Sequence, residues 1–390
     1  MEYRFMQDED KEKVKRMWNY CFDDPQPFVD WYFRDYYRAE NTLGIFQGEN
    51  LLSSLQLIPY EIYLRGSSHP SAYIVGLASS PEARGRGLIK ELLKTSLKEM
   101  RKRNCPISLL MPFQAQFYYP YQWEFCYHHF LYRISLEDLR EIGESYGEWR
   151  EIKELDDEII ESLALVYSAF VKDKHGFVKR SSTNWKLIWG ELQVEKGFAY
   201  LLIDRGKPVG YIFYYLKSDK IVVKEMAYTG FRAQKSLFRF LYNHRSQVEF
   251  LEWHAPVDDA THFMLPDPKI GVSLYPFLTA RIVDVEKILT LINYPPEATG
   301  EVIIGVNDSL AGWNNQTFYL QVHNRKGKVW VTDRKPQVML GIGALTQLVF
   351  GVLSAPKLVF QEKISVENLQ ILQFIDKLFP QCNNYINEYY

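Results

Sequence analysis

The stretch Val75-Gly76-Leu77-Ala78-Ser79-Ser80-Pro81-Glu82-Ala83-Arg84-Gly85-Arg86-Gly87-Leu88-Ile89 constrains the fold more than any other part of the chain. Residues 72–79 are small and apolar, as a buried strand requires, and Pro81 ends them. Ile89, Leu92, Leu93, Leu97 and Met100 then recur at helical spacing. Between strand and helix lies Arg84-Gly85-Arg86-Gly87. Such a turn aims backbone N–H groups and a helix N-terminus at one spot, and glycines let an anion approach the backbone. The pattern predicts a pyrophosphate seat, with Arg84 and Arg86 adding positive charge. It is not a Walker loop, because no Gly-Lys-Ser/Thr comes after it. It also lacks the Gly-x-Gly-x-x-Gly spacing of a dinucleotide fold.

Arg84-Gly85-Arg86-Gly87-Leu88 resembles the acetyl-CoA loop of the GCN5-related N-acetyltransferases (GNAT), written Arg/Gln-x-x-Gly-x-Gly/Ala. Ile89 stands at the last position, where the pattern has a small residue. The resemblance implies that Arg84, Gly85, Arg86, Gly87, Leu88 and Ile89 hold acetyl-CoA as acetyl donor. It also implies a mixed α/β fold. The first 140 residues or so supply the elements that fold needs. A strand at 3–6 leads to a helical face of Val14, Met17, Trp18 and Cys21, then an aromatic helix near Phe28–Phe33. Strands come next at 43–47 and 51–57 around Gly48-Glu49-Asn50, then at roughly 58–65 and 72–79. After the loop and its helix come strands at 107–111 and 125–134, with a short aromatic helix between them.

Composition narrows the class of protein. Of 390 residues, 47% are hydrophobic and 24% charged, the balance of a globular chain with a large core. The formal net charge of −2 argues against a nucleic-acid binder, which carries a basic field. No run approaches the roughly 18 apolar residues of a membrane span. The start, Met-Glu-Tyr-Arg-Phe-Met-Gln-Asp-Glu-Asp, is too polar for a signal peptide. Cys21, Cys105, Cys126 and Cys382 are scattered, as reduced thiols of a cytoplasmic protein are.

The acidic stretch 144–158 predicts a boundary, and the residues beyond it echo the first unit. A helix at 159–171 precedes a hairpin at 201–216 centred on Asp204-Arg205-Gly206-Lys207-Pro208. Ile221–Tyr228 echoes the strand at 72–79, and Leu237–Leu241 the helix after it. The turn between them, Thr229-Gly230-Phe231-Arg232-Ala233-Gln234-Lys235, lacks paired glycines. The second unit therefore reads as a copy that keeps the fold and loses the phosphate seat. A third, small α/β unit begins near residue 286 and resembles a sterol-carrier-protein-like domain. The expected partition is 1–145, 146–285 and 286–390. Together the three units resemble the enhanced-intracellular-survival (Eis) acetyltransferases, which join two GNAT-like domains, only the first active, to a sterol-carrier-like domain. That resemblance implies a homohexamer and an acceptor that is a small amine, such as an aminoglycoside or polyamine. A reading from another class makes the GNAT folds scaffolds and the third unit a binder of hydrophobic ligands.

Acetyl transfer to an amine needs a neutral amine, a stabilised oxyanion and a proton for the leaving thiolate. Phe117-Tyr118 and the residues after it resemble the GNAT pattern Phe-Tyr-x-x-x-Gly-Phe, which assigns Tyr118 as general acid. Gln122-Trp123 replaces Gly-Phe, so Tyr119 and Tyr121 remain rivals. A strand splaying before the loop would free an N–H at Leu77, Ala78 or Ser79 for the oxyanion. Asp23, Asp24 and Glu388 are candidates to attract a cationic acceptor. Asp23 and Asp24 fit an ordinary turn equally well. The resemblance also brings the terminal carboxylate, here that of Tyr390, into the active site as base. No metal site is expected: His254, Asp258, Asp259 and His262 fit a loop, and His128-His129 point to opposite faces of a strand.

Overall fold

The computed structural model describes residues 1–389. The first unit contains β1 (Glu2–Phe5), α1 (Lys11–Cys21), α2 (Gln26–Trp31), β2 (Thr42–Gln47), β3 (Asn50–Leu64), β4 (Ser67–Ser79), α3 (Leu88–Lys102), β5 (Ile107–Leu110), α4 (Ala115–Tyr118) and β6 (Glu124–Ser135). The second contains β7 (Glu148–Glu151), α5 (Asp157–Phe170), β8 (Phe177–Val178), α6 (Ser182–Val194), β9 (Phe198–Asp204), β10 (Lys207–Leu216), β11 (Lys220–Tyr228), α7 (Phe231–Tyr242), β12 (Phe250–Pro256) and β13 (Val272–Ile282). The third contains α8 (Val285–Leu291), β14 (Gly300–Asn307), β15 (Thr317–His323), β16 (Lys326–Val331), β17 (Val338–Gly341), α9 (Ile342–Val349), α10 (Ala355–Phe360), β18 (Ile364–Val366) and α11 (Leu369–Leu378).

Local sequence explains most of these boundaries. Leu88, Leu92, Leu93, Leu97 and Met100 form one face of α3 and are all buried. Each contributes roughly 1.5–3 kcal/mol of burial. Asp156 caps α5 by accepting from Ile159 N, and Ser181 with Asn184 forms a capping box on α6. One expectation fails. The separate strand at 58–65 does not exist, because β3 runs unbroken from Asn50 to Leu64. The turn is Arg65-Gly66, both left-handed at φ 49° and 76°, and β4 starts at Ser67 rather than 72. Such a two-residue turn with φ > 0 at both positions matches the twist of a hairpin.

Sheet order reveals a strand exchange. The large sheet runs β1-β2-β3-β4-β5-β13-β6-β12-β11-β10-β9-β7. In the first half β4 lies parallel to β5, and the next strand is β13, from the second unit. In the second half β11 lies parallel to β12, and the next strand is β6, from the first unit. Each half is thus closed by the other's last strand, and β13 with β6 forms the antiparallel seam. The smaller sheet, β16-β15-β14-β17-β18, is fastened to this seam. Arg281 of β13 pairs with Asp308 at 2.6 Å, both side chains fully buried, and also donates to the Tyr121 carbonyl at 2.6 Å.

A chain cut after residue 145 keeps β5 and β6 but loses the β13 that separates them. It should show no cooperative thermal unfolding by circular dichroism. A sharp melt like that of the whole chain would contradict the exchange.

Candidate active site

The parallel pairing of β4 with β5 ends at Ile74 and Leu110, and beyond it the strands diverge. Gly76 assists: its φ is 60°, the β3–β4 register shifts there, and an added Cβ would lie 2.6 Å from the Trp18 ring. A cleft of about 610 Å³ fills the gap. Leu77, Ala78 and Ser79 form one wall, Arg84, Gly85, Gly87, Leu88 and Ile89 the end, and Phe113, Phe117, Tyr118 and Tyr121 the opposite wall. Gly85 and Gly87 both have φ 73°, and a Cβ on either would meet nothing within 4 Å. Their open backbone is therefore a cradle at the N-terminus of α3. The cleft thus fits an elongated ligand with an anionic group at one end.

Most of the sequence-derived candidates meet in this cleft. Arg86 is exposed, outside the cleft lining. Tyr118 is buried, and burial raises its phenol well above its ordinary value. Its hydroxyl has no hydrogen-bond partner among the described residues, and its ring meets Phe117 edge-on at 5.1 Å. Tyr119 is exposed and does not line the cleft, whereas Tyr121 does. Cys21 also lines it, with Sγ 3.7 Å from the Ser79 carbonyl.

A second pocket lies between the first two units and the tail, one aromatic layer from the cleft. Trp18 is that layer, with Phe22 at 4.9 Å and Tyr32 at 4.7 Å. Phe28, Trp31, Tyr32, Tyr36 and Tyr60 wall the pocket on one side, and Arg180, Glu225 and Glu388 on another. Asp23 and Asp24 are exposed outside it, and Asp24 holds the Trp18 indole N–H at 2.8 Å. Glu388 is buried, and its carboxylate is committed: Oε1 accepts from Arg180 Nε at 2.9 Å and Oε2 from Asn387 N at 3.1 Å. Tyr390 lies outside the described residues.

The tail that carries Glu388 is held by all three units. Asn384 donates to the carbonyls of Cys126 and Phe350. His129 Nε2 donates to the Ile386 carbonyl at 2.9 Å, and burial lowers this histidine to about 3, so it is neutral at neutral pH. Tyr389 packs on Phe277 at 4.7 Å. Arg180 and Glu225 carry no local signature in the sequence. Arg180 sits just before a helix cap and Glu225 midway along a strand, so only the tertiary fold joins them.

The same topology has a different outcome in the second unit. The pairing of β11 with β12 ends at Val223 and Trp253. There Asp259 is buried and accepts from Tyr132 Oη at 2.7 Å, Gln234 Nε2 at 3.2 Å and Thr261 N at 2.9 Å. This network ties α7 to the loop after β12. Asp258 pairs instead with Lys174, and His254 packs against Tyr275 and Tyr389. No group of His, Cys, Asp and Glu able to hold a metal occurs among the described residues.

Comparison with known proteins accounts for this arrangement. Residues 2–126 match an acetyltransferase (GNAT) domain, residues 176–282 a second acetyltransferase (GNAT) domain, and residues 285–387 a sterol carrier protein domain. An uncharacterized N-acetyltransferase from Streptomyces griseus is 23% identical over 82% of this chain and 81% of its own. A GCN5-related N-acetyltransferase from Anabaena variabilis has the same fold over 100% of both chains, at a TM-score of 0.87 and 22% identity. Eis1 from Mycobacterium abscessus likewise aligns over 100% of both chains, at 0.78 and 19%. No helix among the described residues is long and apolar enough to cross a membrane. The chain is an acetyltransferase of the GNAT type, built from two GNAT domains and a C-terminal sterol carrier protein domain.

Proposed function

We propose that this enzyme transfers acetyl from acetyl-CoA to a primary amine in the first domain alone. The observation that carries this reading is the asymmetry of the two splayed strand pairs. One opens on a glycine cradle beside Tyr118, and the other is closed by the Asp259 network. Helix dipole, free amides and Arg84 suit a pyrophosphate at the cradle. The wall of Leu77, Ala78 and Ser79 then runs beside the thioester end, where a backbone N–H faces the developing oxyanion.

Atoms and protons balance in a single transfer. The amine lone pair attacks the thioester carbonyl carbon and the C–S bond breaks. The nitrogen loses one proton and the thiolate gains one. Tyr118 supplies the proton to sulfur. Its raised phenol stays protonated at neutral pH, and the desolvation that raises it also raises a thiolate in the same cleft. The amine enters by the pocket between the two domains, whose aromatic walls and carboxylates suit an ammonium group. Its free volume of about 30 Å³ accommodates the reacting amine end of an aminoglycoside or polyamine, with the rest outside. Tyr389, the last described residue, lines this pocket, which supports the Tyr390 carboxylate as the group that takes the amine's proton. A homohexamer, implied by the resemblance to the Eis acetyltransferases, belongs to the same reading. A hydrophobic-ligand role for the third domain gains no support from the groove there, which presents Glu301, His323, Lys326 and Lys328.

Two substitutions test this reading. Tyr118→Phe should lower kcat by roughly 10²–10⁴-fold, the span of a lost general acid, with acetyl-CoA affinity unchanged. Stopped-flow thiol release measures it, and full kcat would move the role to Tyr121 or water. Gly87→Glu adds a side chain at a left-handed residue and places negative charge in the cradle. Calorimetry should detect no acetyl-CoA binding, and retained affinity would remove the loop from the site.

A further inference from the structure

Arg180 lies in the second domain, outside both splayed strand pairs, yet it touches the part of the tail nearest the acceptor pocket. Its side chain is 1% exposed. Nη1 and Nη2 grip Glu225 of β11 at 2.6 and 2.7 Å, and Nε donates to Glu388 at 2.9 Å. The guanidinium lies over Tyr167 at 4.2 Å and Trp185 at 4.8 Å. Glu225 also accepts from Tyr211 Oη at 2.5 Å and from Asn387 Nδ2 at 2.8 Å, while Asn387 donates to the Lys224 carbonyl at 2.9 Å. Among the described residues, the hydrogen bonds to the Asn387 side chain and the Glu388 carboxylate thus come from the second domain or from the tail itself, while the Glu388 carbonyl accepts from Tyr73 Oη of the first domain at 3.5 Å.

We propose that Arg180 is a positioning residue for acetyl transfer, acting through Glu225 and Glu388 to hold residues 387–389 at the acceptor pocket. This deepens the reading above and rests on it. The geometry requires an arginine. Three nitrogens in one plane serve two carboxylates at once while the flat face stacks on two rings, which a lysine ammonium cannot reproduce. One guanidinium between two carboxylates also leaves an excess negative charge facing the pocket. The cluster therefore holds the tail and favours a cationic acceptor with the same atoms. The second domain, which lacks a donor cleft, serves by completing the first domain's acceptor site.

Three variants of the full-length enzyme test the proposal: Arg180→Met, Arg180→Lys and Glu388→Gln. Each is assayed with acetyl-CoA and a diamine acceptor, and each is digested with a carboxypeptidase and followed by intact mass. Arg180→Met should lose about 100-fold or more in kcat/KM for the amine while acetyl-CoA affinity stays within about twofold. Its C-terminal residues should be released much faster than in the wild type. Arg180→Lys should recover less than a tenth of the lost activity. Glu388→Gln leaves the Arg180–Glu225 pair intact and so folds even if Arg180→Met does not. It should still speed release and lower amine kcat/KM about tenfold. Wild-type release rates and amine kinetics in Glu388→Gln, or an equal loss of acetyl-CoA binding in folded Arg180→Met, would overturn the proposal. A wild-type enzyme that acetylates no amine overturns the functional reading instead, and tail release still tests the clamp.

Discussion

The exchange of β6 and β13 is the constraint on which the rest of the molecule depends. A sheet closed by its partner's strand cannot be divided without leaving two edges unpaired, and unpaired edges are costly and prone to aggregation. The exchange therefore makes the two GNAT domains one folding unit. It also creates a seam with no counterpart in a single domain. The third domain is fastened to that seam by the buried Arg281–Asp308 pair, and the tail runs along it. Removing one member of such a buried pair costs about 3–5 kcal/mol, because the other charge is left unpaired. The pocket lined by Arg180, Glu225 and Glu388 draws residues from both of these domains and the tail, so it depends on the exchange that holds the domains together.

Two copies of one topology behave differently because of a handful of side chains. In the first domain Gly85 and Gly87 keep the turn bare, and aromatic residues line the divergence of the strands without filling it. In the second, Asp259 draws hydroxyl, amide and backbone donors inward. A buried carboxylate without a cation is stable only when its oxygens are fully hydrogen-bonded, and that demand closes the gap. The absence of a glycine pair in 229–235 and the Asp259 network together distinguish the second turn from the first.

What the sequence made legible was what is local. The strand end at Ser79, the glycine turn and the helix up to 100 emerge where expected because an apolar strand, a pair of glycines and a 3.6-residue period lie side by side, although the strand starts five residues earlier. Tyr118 reaches the cleft for a similar reason, as a short motif on a short helix. The hairpin at Arg65-Gly66 was legible in principle, because an X-Gly pair between alternating residues signals a tight turn, but Pro59 within the run 50–64 reads as a break between two strands. The strand exchange was not legible, since β13 carries no mark of which sheet it joins. Glu388 was found as an acidic residue near the chain end, but its partner was not. Arg180 lies 208 positions from Glu388 and 45 from Glu225, and only tertiary structure joins them. Asp24 shows the opposite case: a carboxylate at a helix break holds an indole N–H, as the plainer turn reading allows.

Hydrogen–deuterium exchange of the whole chain, with and without acetyl-CoA, tests the central claim most directly. Protection should appear at residues 77–90 and 113–121 and be absent from 228–235 and 259–262. Equal protection at the second set, or none at the first, would contradict a single donor site in the first domain.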